Sequence, residues 1–169
     1  DEVSFLATPV NTQRFFKTIG VETHQVRDCM IIGGGKTSYY LAKQLTSMNI
    51  DVKVIERNQK RCDELSLLLP KALIIYGDGA DEDLLREEGI EDIESLVPLT
   101  GLDEENILLT LFAKRCSNAK VITKINRSTF NDVIDEMDMG SVIYPRQMTS
   151  ETIMAYVRAM QNTIGSNIE

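Results

Sequence analysis

Cysteine, histidine and positive charge are all scarce in this chain. Its three cysteines, Cys29, Cys62 and Cys116, are an odd number at wide, irregular spacing. They supply neither a disulfide framework nor a Cys-x-x-Cys metal clip, which points to a reducing, cytoplasmic compartment. The only histidine, His24, precedes the patterned part of the sequence, so no histidine–carboxylate pair is available there for acid–base work, and no Ser-x-x-x-Tyr-x-x-x-Lys string replaces it. With 18 basic against 26 acidic residues the net charge is −8, which argues against a general grip on nucleic acid or on an anionic membrane. Small molecules or proteins are the expected partners. No apolar run approaches the roughly 18 residues of a spanning helix, and the N-terminus has no basic stretch followed by an apolar one. A soluble chain without direct membrane insertion is therefore expected, and internal repeats, low-complexity stretches and long linkers are also missing.

The 43% hydrophobic content of 169 residues is enough for one core burying roughly 70% of the unfolded surface. Short β-rich runs alternate with helical patterns. The strands are expected at Cys29–Ile32, Val52–Ile55, Ala72–Tyr76, Ser95–Leu99, Lys120–Ile125 and Ser141–Tyr144. Between them lie Thr37–Met48, with Tyr40, Leu41, Gln44, Leu45 and Met48 at helical spacing, then Gln59–Leu69, Glu82–Glu88, Glu104–Cys116 with Ile107, Leu108, Leu111 and Phe112 on one stripe, and Thr129–Met137. Strand and helix in regular alternation predict an α/β fold, a doubly wound parallel sheet covered by helices on both faces. Residues 77–106 hold twelve acids against Arg86 alone; a solvated face and a site for a divalent cation or basic partner both fit such a run.

The ends do not follow the alternation. Residues 1–7 read as a lone strand and 13–19 as a helix, which implies that the chain is cut from a longer protein. Thr149–Met160 forms a helix with Ile153, Tyr156, Val157 and Met160 on one face, either packing on its own domain or leading to a dimer partner or missing module. The expected division is 1–27 for the end of a preceding unit and a linker helix, 28–147 for the alternating α/β domain, and 148–169 for a C-terminal helix and linker.

Gly33-Gly34-Gly35-Lys36-Thr37-Ser38 follows the first strand and opens the first helix, the context a dinucleotide loop requires. Gly33 permits a tight turn, Gly35 lets the backbone approach a pyrophosphate, and the helix N-terminus offers free N–H groups. Ser38 stands where the third glycine of the fingerprint belongs. Glu56 ends the second strand 21 residues after Gly35, where Rossmann domains place an acid on the adenosine ribose; its charge repels a 2′-phosphate and so favours NAD(H) or an adenine nucleotide such as ATP or ADP over NADP(H). Arg57 could stack on adenine, pair with phosphate or stand in solvent, and Lys36 could neutralise a phosphate or simply lie exposed. Gly77-Asp78-Gly79 and Leu99-Thr100-Gly101 end the third and fourth strands. There Asp78 could accept from an adenine amino group and Thr100 could line the ribose or nicotinamide end, or both could serve as turn and cap residues.

Taken together, the strings IIGGGKTSYYLAKQL, DVKVIERNQKRCDEL, IIYGDGADEDLL, LVPLTGLDEENILLTLFAKR and VITKINR resemble the RCK domain family, also called KTN or TrkA-N, of bacterial potassium-transport regulators. The resemblance covers most of residues 28–145. It implies a cytoplasmic, nucleotide-sensing subunit that does no chemistry, forms homo-oligomers and gates a membrane potassium-transporter subunit. It also implies that Gly33, Gly35, Lys36, Glu56, Arg57, Asp78 and Thr100 occupy nucleotide-contact positions, and that the leading DEVSFLA is the last strand of a lobe closing a first half, which makes this the second Rossmann domain of its protein. Three positions depart from the family pattern: Ser38 replaces glycine, Pro98 falls within a central strand, and Arg146 stands where some relatives carry a cation-binding glutamate, so no metal is expected. The rival readings are an NAD-dependent oxidoreductase fragment without its catalytic domain and an S-adenosylmethionine methyltransferase.

Overall fold

The computed structural model describes residues 26–127, 131–137 and 139–165. The strand and helix expected within 1–19 lie outside these described residues. Six strands, β1 (Asp28–Ile32), β2 (Asp51–Glu56), β3 (Leu73–Tyr76), β4 (Ser95–Pro98), β5 (Lys120–Lys124) and β6 (Ser141–Ile143), alternate with α1 (Lys36–Ser47), α2 (Gln59–Leu68), α3 (Glu82–Glu87), α4 (Asp103–Cys116), α5 (Asn131–Glu136) and α6 (Pro145–Gly165). All pairings are parallel and the order is β3-β2-β1-β4-β5-β6. The fold is therefore a doubly wound Rossmann-type sheet whose direction of travel reverses between β1 and β4.

β1 shows why its sequence is an unbroken apolar run. Met30 and Ile32 face one core with Leu85 of α3 and Leu109 and Ala113 of α4. Cys29 and Ile31 face a second core with Ala42 of α1 and Leu65 of α2. Alternate side chains enter opposite layers, so a strand buried on both sides must be apolar at every position.

Two helices bury only part of the stripe their hydropathy suggests: Leu41 and Leu45 of α1 and Ile107 and Phe112 of α4 pack partly buried on the cores, but the fully buried positions lie elsewhere. In α1 the buried residues are Ser38 and Ala42, while Tyr40 and Met48 are exposed; small side chains let the helix lie close to the sheet. In α4 the buried residues are Asp103, Asn106, Leu109, Thr110 and Ala113, and Leu108 is 67% exposed. Three of these five are polar, and each is satisfied across the helix–sheet interface. Thr110 Oγ1 lies 2.6 Å from Thr123 Oγ1 of β5. Asp103 Oδ1 accepts from the Asn126 N–H and amide at 2.9 and 2.8 Å, and its Oδ2 from the Arg127 N–H at 2.9 Å. Hydropathy cannot register such pairing, because it depends on where the strand beside the helix ends.

Pro98 sits at the end of β4, opposite Ile32 of β1. Leu99 N–H donates to the Ile32 carbonyl at 2.8 Å, so by strand alternation the N–H that proline lacks would have pointed to the β5 side. On that side the pairing stops at Leu96↔Val121. The proline therefore removes one rung at the carboxyl end of the sheet and leaves the β1–β4 ladder whole. α6 begins at Pro145, earlier than the sequence pattern places it, and Ile153, Tyr156, Val157 and Met160 are all exposed. This helix does not bury its stripe against the other described residues.

A Cβ added at Gly79 would lie 2.2 Å from Ile32 Cγ2, and Ile32 is a buried core residue. Gly79→Ala should therefore lower the unfolding free energy by about 1–3 kcal/mol, the usual cost of overpacking a core, as read from the urea midpoint at constant slope. Burial pushes the Asp103 carboxyl upward, but the Asn126 and Arg127 hydrogen bonds and the Arg127 charge outweigh it and hold the group below the usual carboxylate range. The stabilisation this represents is fully present above the unfolded value near pH 3.9 and is lost as pH falls through the lower folded value. Asp103→Asn should thus cost stability at pH 7, by about 1.5–3 kcal/mol for lost charge-assisted bonds, and the gap from wild type should shrink in acid melts below about pH 4.

Candidate functional site

The loop from β1 to α1 is built from three glycines with three different reasons. Gly33 has φ +98°, and a Cβ there would lie 3.0 Å from the Leu99 carbonyl oxygen at the end of β4. Gly34 is closed in by Leu65 and Glu56, whose Cδ1 and Oε2 would be 2.7 and 2.9 Å from an added Cβ. At Gly35 an added Cβ would meet nothing within 4 Å. The backbone at Gly35 therefore faces open space, and it caps α1, whose first N–H groups have no intrahelical acceptor.

Open space at that point belongs to a crevice of about 400 Å³ at the carboxyl edge of the sheet, where the strand order reverses. Gly33, Gly35, Glu56, Arg57, Asp78 and Thr100 all line it. Four separate strand ends thus bring together six of the nine residues singled out from the sequence. Lys36 and Thr37 do not line the crevice and lie exposed on the first turn of α1, while Ser38 is buried against the sheet. The Ser38 hydroxyl has no hydrogen-bond partner among the described residues.

Three of the lining side chains, those of Glu56, Asp78 and Thr100, are already held. Glu56 Oε2 accepts from the Gly34 N–H at 2.6 Å and Oε1 from the Asn58 N–H at 2.7 Å. Arg61 of α2 donates through Nε to the Gly34 carbonyl at 2.7 Å, so that glycine is gripped by its N–H and by its carbonyl. Asp78 Oδ1 accepts from the Ala80 N–H at 3.0 Å, an Asx turn on a residue that lines the crevice. Thr100 is anchored at every polar atom: its N–H and Oγ1 lie 2.9 and 2.8 Å from Asn106 Oδ1, and its carbonyl accepts from Lys124 Nζ at 2.8 Å. Burial lowers the Lys124 amine from its usual range, against the pull of the Asp103 charge. Gly34, Arg61, Asn106 and Lys124 were not singled out from the sequence, because what they do depends on partners more than 20 positions away or on a turn whose path the sequence leaves open.

Beside the crevice, and sharing Arg57, Asp78, Leu102 and Glu105 with it, runs a groove of about 670 Å³ floored by Leu108, Leu111 and Phe112 of α4. The guanidinium groups of Arg86 and Arg115 each lie 5.5 Å from the Phe112 ring centre. Part of the acidic run from 77 to 106 is engaged in local structure. Asp81 caps α3, Glu88 pairs with Lys53, Glu91 bonds Arg86, and Glu94 bonds Arg27. Among the described residues no cluster of three or more potential ligands is arranged to hold a metal ion.

Known proteins match this chain in both sequence and fold. The family model of the TrkA-N domain matches residues 29–145. The Trk system potassium uptake protein TrkA of Vibrio alginolyticus is 35% identical over 158 residues, covering 94% of this chain and 34% of that protein. The TrkA homolog 2 of Methanosarcina mazei is 37% identical over 141 residues, 83% of this chain and 30% of that protein. The chain thus spans about a third of the length of these curated relatives. Among solved structures, the TrkA-N domain of the inner membrane protein ybaL from Escherichia coli superimposes with a TM-score of 0.69 at 18% identity, covering 79% of this chain and 98% of that one. The GsuK channel bound to NAD gives 0.59 at 18% identity over 73% of this chain and 22% of that one. Both share the fold, and the sequence match across residues 29–145 makes this chain a member of the TrkA-N domain family.

Proposed function

We propose that the chain is the nucleotide-sensing domain of a bacterial potassium-uptake regulator, binding NAD(H) in the crevice and acting on a membrane transporter subunit without chemistry of its own. The observation that carries this reading is the convergence of the open Gly35 backbone, the fixed Glu56 carboxylate and the Asp78 and Thr100 turns on one crevice. The pyrophosphate lies over Gly33–Gly35 and the start of α1, with Lys36, Thr37 and Ser38 in that first turn, where dipole and free N–H groups favour anions. Glu56 takes the ribose hydroxyls, Arg57 covers the adenine, and Asp78 accepts from its amino group. The curated relatives are named for potassium uptake, and GsuK carries NAD on the same fold. Residues 28–147 form the sensing domain, and the segments on either side connect it to the rest of a regulator at the cytoplasmic face of the membrane. A ligand can act there only by favouring one arrangement of the assembly over another.

NADH at about 100 times its dissociation constant should add roughly 2.7 kcal/mol to the native state, seen as a rise of several degrees in melting temperature. NADPH should do much less; equal stabilisation by NADPH would remove Glu56 from the ribose. ATP and ADP belong in the same thermal panel as the smaller adenine nucleotides the crevice could hold. Gly35→Val should abolish the NADH response while leaving the unliganded melt unchanged, because the added side chain enters empty space. Glu56→Ala should weaken binding by about 1–3 kcal/mol, and Glu56→Gln by less, since one oxygen acceptor remains.

The exposed stripe Ile153, Tyr156, Val157 and Met160 on α6 favours self-association, which covers apolar surface that the domain leaves bare. Sedimentation should show a concentration-dependent oligomer that weakens when Tyr156 and Met160 are changed to glutamate. A wild-type monomer at high concentration would refute it.

A further inference from the structure

The β4 side of the crevice is held in an unusual way. Pro98 stops the β4–β5 ladder at Leu96↔Val121, so backbone pairing with β5 does not fix the Thr100–Leu102 turn that follows. Two side chains from outside the crevice do this instead. Asn106, with no exposed surface, accepts from the Thr100 N–H and hydroxyl through Oδ1 and donates through Nδ2 to the Lys124 carbonyl at 3.0 Å. Lys124, the last residue of β5, donates back to the Thr100 carbonyl at 2.8 Å. A closed ring therefore runs from the turn to α4, to the end of β5, and back to the turn. Neither Asn106 nor Lys124 lines the crevice.

We propose that Asn106 and Lys124 are positioning residues for the nucleotide, setting the height of the Thr100 rim and with it the affinity, without touching the ligand. The inference rests on the reading of the crevice as a nucleotide site. Two features separate this ring from ordinary packing. Thr100 Oγ1 has its proton taken up by Asn106 or by the Leu102 carbonyl, at 2.8 and 3.1 Å, and itself accepts from the Leu102 N–H at 3.2 Å, so the rim offers the ligand its shape rather than a free donor. And a buried polar interface between α4 and β5 already exists one turn further on, where Thr110 meets Thr123 with both fully buried. That second contact, in which the Thr110 hydroxyl also bonds the Asn106 carbonyl of its own helix at 2.8 Å, fastens the same helix to the same strand without lining the crevice, so fastening alone does not require the Thr100 ring. Thr110 therefore provides a built-in structural control.

The experiment is an NADH titration by calorimetry on the 169-residue chain and its variants, at a temperature where every variant is folded, alongside thermal melts. Lys124→Met keeps the aliphatic stem and removes the donor; it should weaken NADH by about tenfold, the effect of one charge-assisted hydrogen bond on the rim. Lys124→Arg restores a donor and should bind within about twofold of wild type. Asn106→Ala should weaken binding at least as much as Lys124→Met, which carries the test alone should Asn106→Ala fail to fold. Thr110→Val should lower the melting temperature with no more than about a twofold change in affinity. Wild-type affinity in Lys124→Met, equal weakness in Lys124→Met and Lys124→Arg, or an affinity loss in Thr110→Val as large as that in Lys124→Met would overturn the inference. Failure of the wild-type chain to bind NADH would instead overturn the nucleotide reading, and this inference with it.

Discussion

The position of β1 between β2 and β4 in a parallel sheet is the constraint on which the rest of the structure depends. Parallel strands end on one edge, so the loops after β1, β2, β3 and β4 are delivered to the same side of the domain. Because the chain goes outward through β2 and β3 and then returns to the opposite side of β1, the loops after β1 and β4 diverge and leave a gap. The crevice is a consequence of that reversal. Its lining residues come from positions 32 to 105 of the sequence and meet only because four strands are in register.

Within that edge the glycine loop is preformed. The Gly34 N–H is bonded by Glu56 and its carbonyl by Arg61. Fixing the Gly34 carbonyl also fixes the peptide unit to which the Gly35 N–H belongs, since the two groups sit on opposite sides of one planar amide. The loop therefore does not have to be ordered when a ligand arrives, which removes part of the entropic cost of binding. Glu56 is thus part of the loop's architecture as well as the residue to which the proposed function assigns the ribose.

The opposite rim is organised by polar side chains. α4 turns Asp103, Asn106 and Thr110 toward β5, and each finds its partner there or in the residues just beyond it. A buried polar group costs free energy unless it is bonded, so such a face specifies one register of helix against strand more sharply than an apolar face would. The same inward turn frees Leu108 and Leu111 to form the outer groove next to the crevice. The end of β5 is in turn paired with β6 through Lys124↔Ile143, two residues before α6 begins. The rim and the base of the exposed C-terminal helix are thus neighbours across one strand pair.

What the sequence determined by itself is whatever local periodicity and short spacing encode. The six strands, the order of elements and the glycine loop could be read from apolar runs, from helical spacing and from Gly33-Gly34-Gly35 at a strand end, and the place of Glu56 from its distance along the chain. Each of those signals acts between residues that are close in sequence, where hydropathy and backbone preference set the outcome. The tertiary structure alone decided which face of α4 is buried, why Gly34 must be glycine, that Pro98 removes only a rung beyond the last β4–β5 pair, and that Arg61, Asn106 and Lys124 hold the two rims. Those facts rest on contacts such as Gly34 with Arg61, 27 positions apart, and Thr100 with Lys124, 24 apart. A hydrogen bond between such residues exists only once the strands have paired, because it is the pairing that brings donor and acceptor within 3 Å.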